Sequence, residues 1–503
     1  MRLLGRQRIY TDANEINESN IIEVLQKAYS KHRQNVFEMQ YLIDYERGEQ
    51  PLKRDKVVRP DINICVNSSL PNYIKKFKKG YNWGSPILLV QRGNKEIHNT
   101  DSDTDDSGIS GLNEILKNGE NISFKDQQMA EFIEICGIGH RMIEPKAFAP
   151  IINETPESFV NIYTLDSRFA FMVYQNGPGQ KEMMGVSYTK RSGKNYFTCF
   201  TDTERFEIEA GEIKSHTVNI LGEIPIVEYE RSVDRTGCFE RKIKEIDALN
   251  ILESDFANDV SQRTQELWWG DNIDFKDDEN GKPLKPKSGD WILTYSSDGK
   301  VAKIAPLSSS FNGDSTLNAI KNQRATILQD CYVPIQYESS GGGSTGTATD
   351  MASGWSAAEL DALQEQQMIE RGKRKELSLI LKAIKTVPTR ALPEDSPIRM
   401  VHNSDCDFHF SRRRNYDLIN KANFLVQLAN IGVSGQHLFK QSEIFPDPVQ
   451  AWMDSKDIFE AIQKSKISET SSSDTRISSD DSDQTENSPI LDGMNTGNSK
   501  QAV

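Results

Sequence analysis

The chain has 503 residues, 36% apolar and 27% charged, with 60 Lys and Arg against 74 Asp and Glu for a formal charge of −14. That length allows about three domains with a lean core, and the acidity argues against a surface that grips nucleic acid. No window approaches about 18 uninterrupted apolar residues, so no membrane-spanning helix is expected.

The first ten residues carry Arg2, Arg6 and Arg8 without the apolar stretch of a signal peptide, so the chain is expected to stay in the cytoplasm where it is made. Residues 1–20 read as polar and flexible. Apolar positions Ile21, Val24, Leu25, Ala28, Val36, Met39 and Leu42 then recur at helical spacing over 21–45, until Gly48 and Pro51 break the pattern. A second helix is expected over 63–79, ending at Gly80. Its run Lys75, Lys76, Phe77, Lys78, Lys79 reads as a solvated face rather than a phosphate site. Residues 98–108 form an acidic loop. Asp101, Asp103 and Asp105 have calcium-loop spacing, but Asp106 replaces the turn Gly and Leu112 the chelating Glu, so a plain surface loop is expected.

Residues 112–135 look helical, and from about 159 to 230 the period shortens. Phe169, Phe171 and Val173 alternate, as do Val186 and Tyr188, and Tyr196 and Thr198; Ile224, Ile226 and Tyr229 follow with one shift. Gly and Asn–Gly turns between them predict an antiparallel meander. Phe239, Ile243, Ile246, Leu249, Leu252, Phe256, Val260 and Leu267 then predict one uninterrupted helix over 239–269. Short strands over 271–310, including Trp291–Ile292–Leu293, lead to a helix over 315–331 that should run antiparallel to the first, with Asp314 or Ser315 as N-cap. A Gly- and Ser-rich loop follows Pro334, then a third long helix from about Met351 to Lys385. Phe408 and Phe410 alternate like a short strand, and helices are expected over 418–430 and 449–462. Residues 469–503 hold seven acids and two bases among Ser and Asn, too little apolar content to order. The fold class is α+β.

Nothing in the pattern carries catalysis. Six cysteines stand singly with no CxxC pair, and seven histidines form no HxH or HxxxH pair, so reduced thiols and no metal site are expected. Gly341 and Gly346 have the glycine spacing of a phosphate-binding loop, but Thr347 stands where its Lys must be. No GxSxG or HExxH motif is present, so neither a catalytic residue nor a cofactor is assigned.

Six stretches in order resemble the portal proteins of tailed double-stranded-DNA phages, of the type found in long-tailed phages of Gram-positive hosts. They are YLIDYERGEQPL (41–52), NICVNSSLPNYIKKFKKGYNWGSPI (63–87), LGEIPIVEYER (221–231), the helix 239–269, the GGGSTGTA loop with its following helix, and FHFSRRRNYDLINKANFLVQLANIGVSGQHLF (408–439). The resemblance covers about 20–468; residues 88–158 match only as a helix pattern. It implies a wing at 21–238 with 351–410, a stem of long helices at 239–269 and 314–333, and a small β clip at 270–313. It further implies a tunnel loop at 334–350, a channel helix at 351–386, a helical crown at 411–468 and a disordered acidic tail at 469–503.

What the resemblance implies about function is a ring of twelve subunits at one capsid vertex. The ring would nucleate head assembly with scaffolding and major capsid proteins, dock the terminase large subunit, pass and retain DNA, and bind a head-completion adaptor protein, with no membrane involved. It places Tyr337, Ser339, Ser340, Gly341, Gly342, Gly343, Ser344, Thr345, Gly346, Thr347 and Thr349 along the DNA channel. Subunit contacts are expected at Phe239, Ile243, Ile246, Leu249, Phe256, Val260, Arg412, Arg413 and Arg414, and terminase or adaptor docking at Lys282, Lys285 and Lys287. The alternative is a peripheral capsid or head–tail adaptor protein without a DNA channel.

Overall fold

The computed structural model describes residues 3–52, 60–92, 108–146, 158–264, 268–271, 301, 303–306, 313–335, 354–412, 417–442, 445, 451–452, 454–459 and 461. The chain divides into two units, 1–413 and 414–503.

In the first unit, helix α1 (Ile21–Glu46) buries Ile21, Val24, Leu25, Ala28, Met39 and Leu42, the stripe its spacing predicts. Its N-terminal half covers a six-stranded sheet of order β1-β5-β6-β7-β8-β9. These strands are β1 (Ile9–Thr11), β5 (Ala170–Gln175), β6 (Glu182–Arg191), β7 (Lys194–Phe200), β8 (Glu204–Glu209) and β9 (Glu212–Val218). Neighbours from β5 to β9 are antiparallel, so the meander forms as its alternation predicts. Two of its hairpins close with two-residue turns, Ser192–Gly193 and Ala210–Gly211, all four residues at positive φ. Such turns match the right-handed twist of the strands they join, which is why Ala210 tolerates a φ of 52°.

The first residues differ from expectation. Residues 3–20 are not a free polar leader: β1 pairs in parallel with β5, and Arg6 is fully buried, ion-paired to Glu38 and Glu240. A short strand plus one buried, paired cation suffices to order a segment whose composition alone reads as flexible.

A second sheet of order β10-β3-β4 joins β3 (Ile138–Pro145), β4 (Val160–Leu165) and β10 (Ile226–Glu230). Against it lie α4 (Ile122–Cys136) and the long helix α7 (Trp355–Lys385), with Met129, Ile133, Val227, Leu377, Ile380 and Ile384 in one core. Ahead of α4, the expected helix at 112–135 is interrupted: α3 (Gly108–Glu114) runs into one wide π turn at 115–119 before α4 begins. Strands β2 (Leu88–Gln91) and β13 (Cys406–His409) pair antiparallel beside this core.

The third core is helical. Helix α2 (Leu70–Trp83), α5 (Ile243–Thr264) and α6 (Gly313–Asp330) pack with the C-terminal half of α1 around Met39, Tyr45, Leu70, Ile74, Phe239, Ile246, Leu249 and Ile327. Lys242 ahead of α5 pairs with Asp330 at the end of α6 at 2.7 Å, and Gln323 Nε2 donates to the Glu245 carbonyl, so the two helices run antiparallel as expected. Helix α5 is shorter than the predicted 239–269. A 3₁₀ turn at 240–242 precedes it, and Trp268–Asp271 form strand β11, paired antiparallel with β12 (Lys303–Pro306).

Helix α2 starts at Leu70, not 63. Residues 64–68 are held extended along α5, where Asn258, Ser254 and Asn250 accept from the amides of Ile64, Val66 and Ser68 at 2.8, 2.9 and 2.8 Å. Those three side chains recur every four residues on one helix face, so they meet every second amide of an extended strand. An amide already bonded to a neighbouring helix gains nothing by turning helical.

In the second unit, α8 (Asp417–Asn430) and α9 (Gly435–Ser442) follow one another, and residues 451–452, 454–459 and 461 are helical. Phe439, Phe445, Trp452 and Phe459 form a chain of ring contacts with centroids 5.0–5.8 Å apart. The short strand around Phe408 and both helical expectations correspond to observed elements.

Candidate functional site

Helices α6 and α7 flank the Gly- and Ser-rich segment, and their ends meet. Pro334 and Gly354 lie side by side: a Cβ added to Gly354 would be 3.9 Å from the Cα of Pro334. The segment between them therefore leaves and returns at one point. Its candidate residues Tyr337 to Thr349 lie outside the described residues, as do Lys282, Lys285, Lys287, Arg413, Arg414 and the acidic stretch 98–107.

The meeting point rests on α2. Lys78 is 2% exposed, and its Nζ donates to Asp361 Oδ2 on α7 at 2.7 Å and to the Tyr332 carbonyl at 3.3 Å. Phe77 and Tyr81 stack with centroids 5.6 Å apart, and the Trp355 ring sits 5.9 and 5.8 Å from them. The Tyr81 hydroxyl donates to Glu359, whose other oxygen accepts from Arg412 at 2.7 Å. Arg412, expected to reach a neighbouring subunit, is thus paired within its own chain, where it also donates to Gln366 and the Ala362 carbonyl. The Lys75–Lys79 run is likewise not a solvated face: Lys75 pairs with Glu46 and Glu131, and Lys79 with Glu131.

Two buried charge clusters then tie α7 to the sheet behind it. Arg231 pairs with Glu134 at 3.1 Å and with Asp361 and Glu365 at 3.3 Å each. Burial, reinforced by the facing Glu134, pushes the Glu365 carboxyl well above the usual carboxylate range. About two to three turns further along α7, fully buried Arg141 donates to Asp126 at 2.7 Å and Glu376 at 2.8 Å, and Lys373 bridges the same two acids. Burial pushes the Glu376 carboxyl up, but Arg141 and Lys373 outweigh it and hold it down at about 2. Tyr229 donates to Glu376 and lies over Gly372, where a Cβ would come within 2.4 Å of its ring.

Of the expected subunit contacts, Phe239, Ile246 and Leu249 are fully buried in the chain's own helical core and Ile243 nearly so. Phe256 packs against that core half-buried, and Val260 is exposed. The stripe through Ile246 and Leu249 is therefore internal, while Ile251 and Val260 offer apolar surface on α5. Lys78, Tyr81 and Trp355 were missed. A lysine inside a Lys-rich run carries no local sign that its partners lie some 280 residues away.

Among the described residues no group of His, Cys, Asp and Glu is placed to hold a metal, and no helix is long and apolar enough to cross a membrane. All six thiols are free, and burial pushes that of Cys136 up to about 12.

An antiparallel helix pair joined through a two-stranded ribbon, followed by a long helix rooted where that pair ends, defines a structural class of protein built on long helices. The family model for "Phage portal protein, SPP1 Gp6-like" matches residues 25–466, and the chain belongs to that family. It is a portal vertex protein, a component of the phage particle, from a family that is structural rather than catalytic. Among solved structures, a chain from "Neck of empty GTA particle computed with C6 symmetry" is similar at a TM-score of 0.42 and 12% identity, covering 78% of this chain and 95% of that one. No curated protein matches.

Proposed function

We propose that the chain closes into a ring of twelve subunits at one capsid vertex and serves as the DNA conduit of the particle. The observation that carries this reading is the family match over residues 25–466, which spans the helix pair, the roots of the Gly-rich segment and α7. In this reading residues 21–238 with 351–410 are the wing, 239–269 with 314–333 the stem, 270–313 the clip and 411–468 the crown. Residues 337–349 line the narrowest part of the channel. Lys282, Lys285 and Lys287 face the terminase large subunit during packaging and the head-completion adaptor afterwards. Scaffolding and major capsid proteins meet the ring as the head assembles in the host cytoplasm.

The electrostatics suit a conduit. Phosphate contacts dominate nucleic-acid affinity, so a wall that lets DNA slide must not accumulate cations. A chain at −14 repels the backbone, and neutral Ser, Thr and Gly over 339–349 make only exchangeable contacts. The work of entry then falls to an external motor. With Phe239, Ile246 and Leu249 committed to the internal core, the neighbour-facing part of the stem shifts to exposed Val260, Ile251 and Leu317. A heterologous contact of this kind closes into a ring when its rotation divides the circle.

Electron microscopy of the purified protein tests the reading. Rings with a central hole wide enough for a double helix are expected. Monomers or small closed oligomers would instead favour a peripheral adaptor without a channel.

A further inference from the structure

Both roots of the 336–353 segment are held by features that helix ends do not need. Helix α6 ends in a Schellman cap: the Val333 amide donates to the Leu328 carbonyl and the Tyr332 amide to the Gln329 carbonyl. The left-handed position of that cap normally takes Gly, yet here it is Tyr332 at φ 55°. A non-Gly residue is strained there, so something else must favour it. Lys78 supplies that: its ammonium lies 5.6 Å from the Tyr332 ring centroid and donates to the Tyr332 carbonyl. The other root also turns through a left-handed residue, Gly354 at φ 84°, and the next residue, Trp355, packs on Phe77 and Tyr81. Lys78 then reaches past it to Asp361, and Tyr81 to Glu359. One helical turn of α2 therefore touches both sides of the gap.

We infer that Phe77, Lys78 and Tyr81 of α2 form a clamp that holds the two roots of the 336–353 segment together and so positions that segment for DNA. The three are positioning residues, acting through Tyr332, Trp355, Asp361 and Glu359. The inference rests on the conduit reading of residues 337–349. A segment this rich in Gly cannot fix its own direction; the direction of its ends must come from what they are anchored to. An anchor shared by both ends moves them as one.

Hydrogen exchange on assembled Lys78→Met protein, read together with packaging of DNA, tests this. Amides of 331–335 and of 354–361 are expected to exchange about tenfold faster or more, in parallel, while those of 246–250 in the α5 core stay unchanged. Packaging should fall although rings still form. Tyr81→Phe, which removes one hydroxyl and no packing, should produce a smaller effect on 354–361 and keeps the test open if Lys78→Met fails to assemble. Lys76→Met, on the exposed face of the same helix, should change neither readout. Faster exchange at one root only, or at neither, overturns the clamp. Faster exchange at both roots with packaging intact would show that the anchor holds them and would overturn its role toward DNA, whereas the conduit reading itself fails only if a photo-reactive residue at Ser344 forms no adduct with DNA during packaging.

Discussion

The six-stranded sheet and the seam along α7 are both buried, and they are built from opposite materials. Under α1 the sheet is packed with Val173, Val186, Phe206 and Ile208, where contact area does the stabilising. Along α7 the buried face carries Glu365, Lys373 and Glu376 among its apolar residues, and each is met by a charge from α4, β3 or the end of β10. An apolar interface tolerates small slips, because neighbouring contacts are nearly equivalent. A charged one does not, because a displaced partner leaves a buried ion unpaired. The seam fixes the register of α7 against the sheet.

The comparison can be broken most directly at Arg141. Arg141→Met leaves Asp126 and Glu376 with Lys373 as their one cation and should cost about 3–5 kcal/mol in urea unfolding. Replacing Arg141, Lys373, Asp126 and Glu376 together by apolar residues of similar size should recover most of that loss. Phe206→Ala in the sheet should cost a similar amount, about 3–5 kcal/mol, with no charged partner whose removal restores it. Equal behaviour of the two sites under compensation would erase the distinction.

His32 is the exception within the sheet's core and gives the next largest effect. It is buried, stacked 4.5 Å from Phe171, and burial lowers its pKa from 6.5 to about 4. The folded chain therefore resists a proton that the unfolded chain accepts near pH 6.5. Stability from this group is complete above that pH, falls as the pH drops from 6.5 towards 4, and falls no further below it, by up to about 3 kcal/mol. His32→Phe should flatten that window in pH-dependent unfolding; an unchanged slope would show that His32 titrates normally.

Gly372→Ala sharpens the picture of the seam. Ala is the better helix former by about 1 kcal/mol. Its Cβ, however, would press on the Tyr229 ring, whose hydroxyl is held by Glu376 and which cannot retreat freely. Overpacking of about 1–3 kcal/mol should win. A rise in melting temperature would mean that the ring is free to move.

The same contrast decides what was legible in the sequence. Helices α1, α6 and α7 and the meander follow from apolar periodicity, because burial of apolar side chains imposes the period of the element on the chain. What rests on polar contacts between distant segments left no periodic trace. Residues 64–68 are extended because Asn250, Ser254 and Asn258 bind their backbone. Residues 3–20 are ordered because Arg6 meets Glu38 and Glu240. Lys75 and Lys78 are internal because Glu46, Glu131 and Asp361 face them. The antiparallel pair α5 and α6 and the long helix after it were readable; that Pro334 and Gly354 lie side by side, and that α2 lies beneath them, was not.

The central claim is that the segment rooted at Pro334 and Gly354 lies on the DNA path. A photo-reactive residue placed at Ser344, in particles halted during packaging and then irradiated, tests it most directly, with the same residue at exposed Val218 on β9 as control. Covalent adducts to DNA from position 344 and none from 218 are predicted. Adducts from neither position, or from 218 alone, would contradict the account.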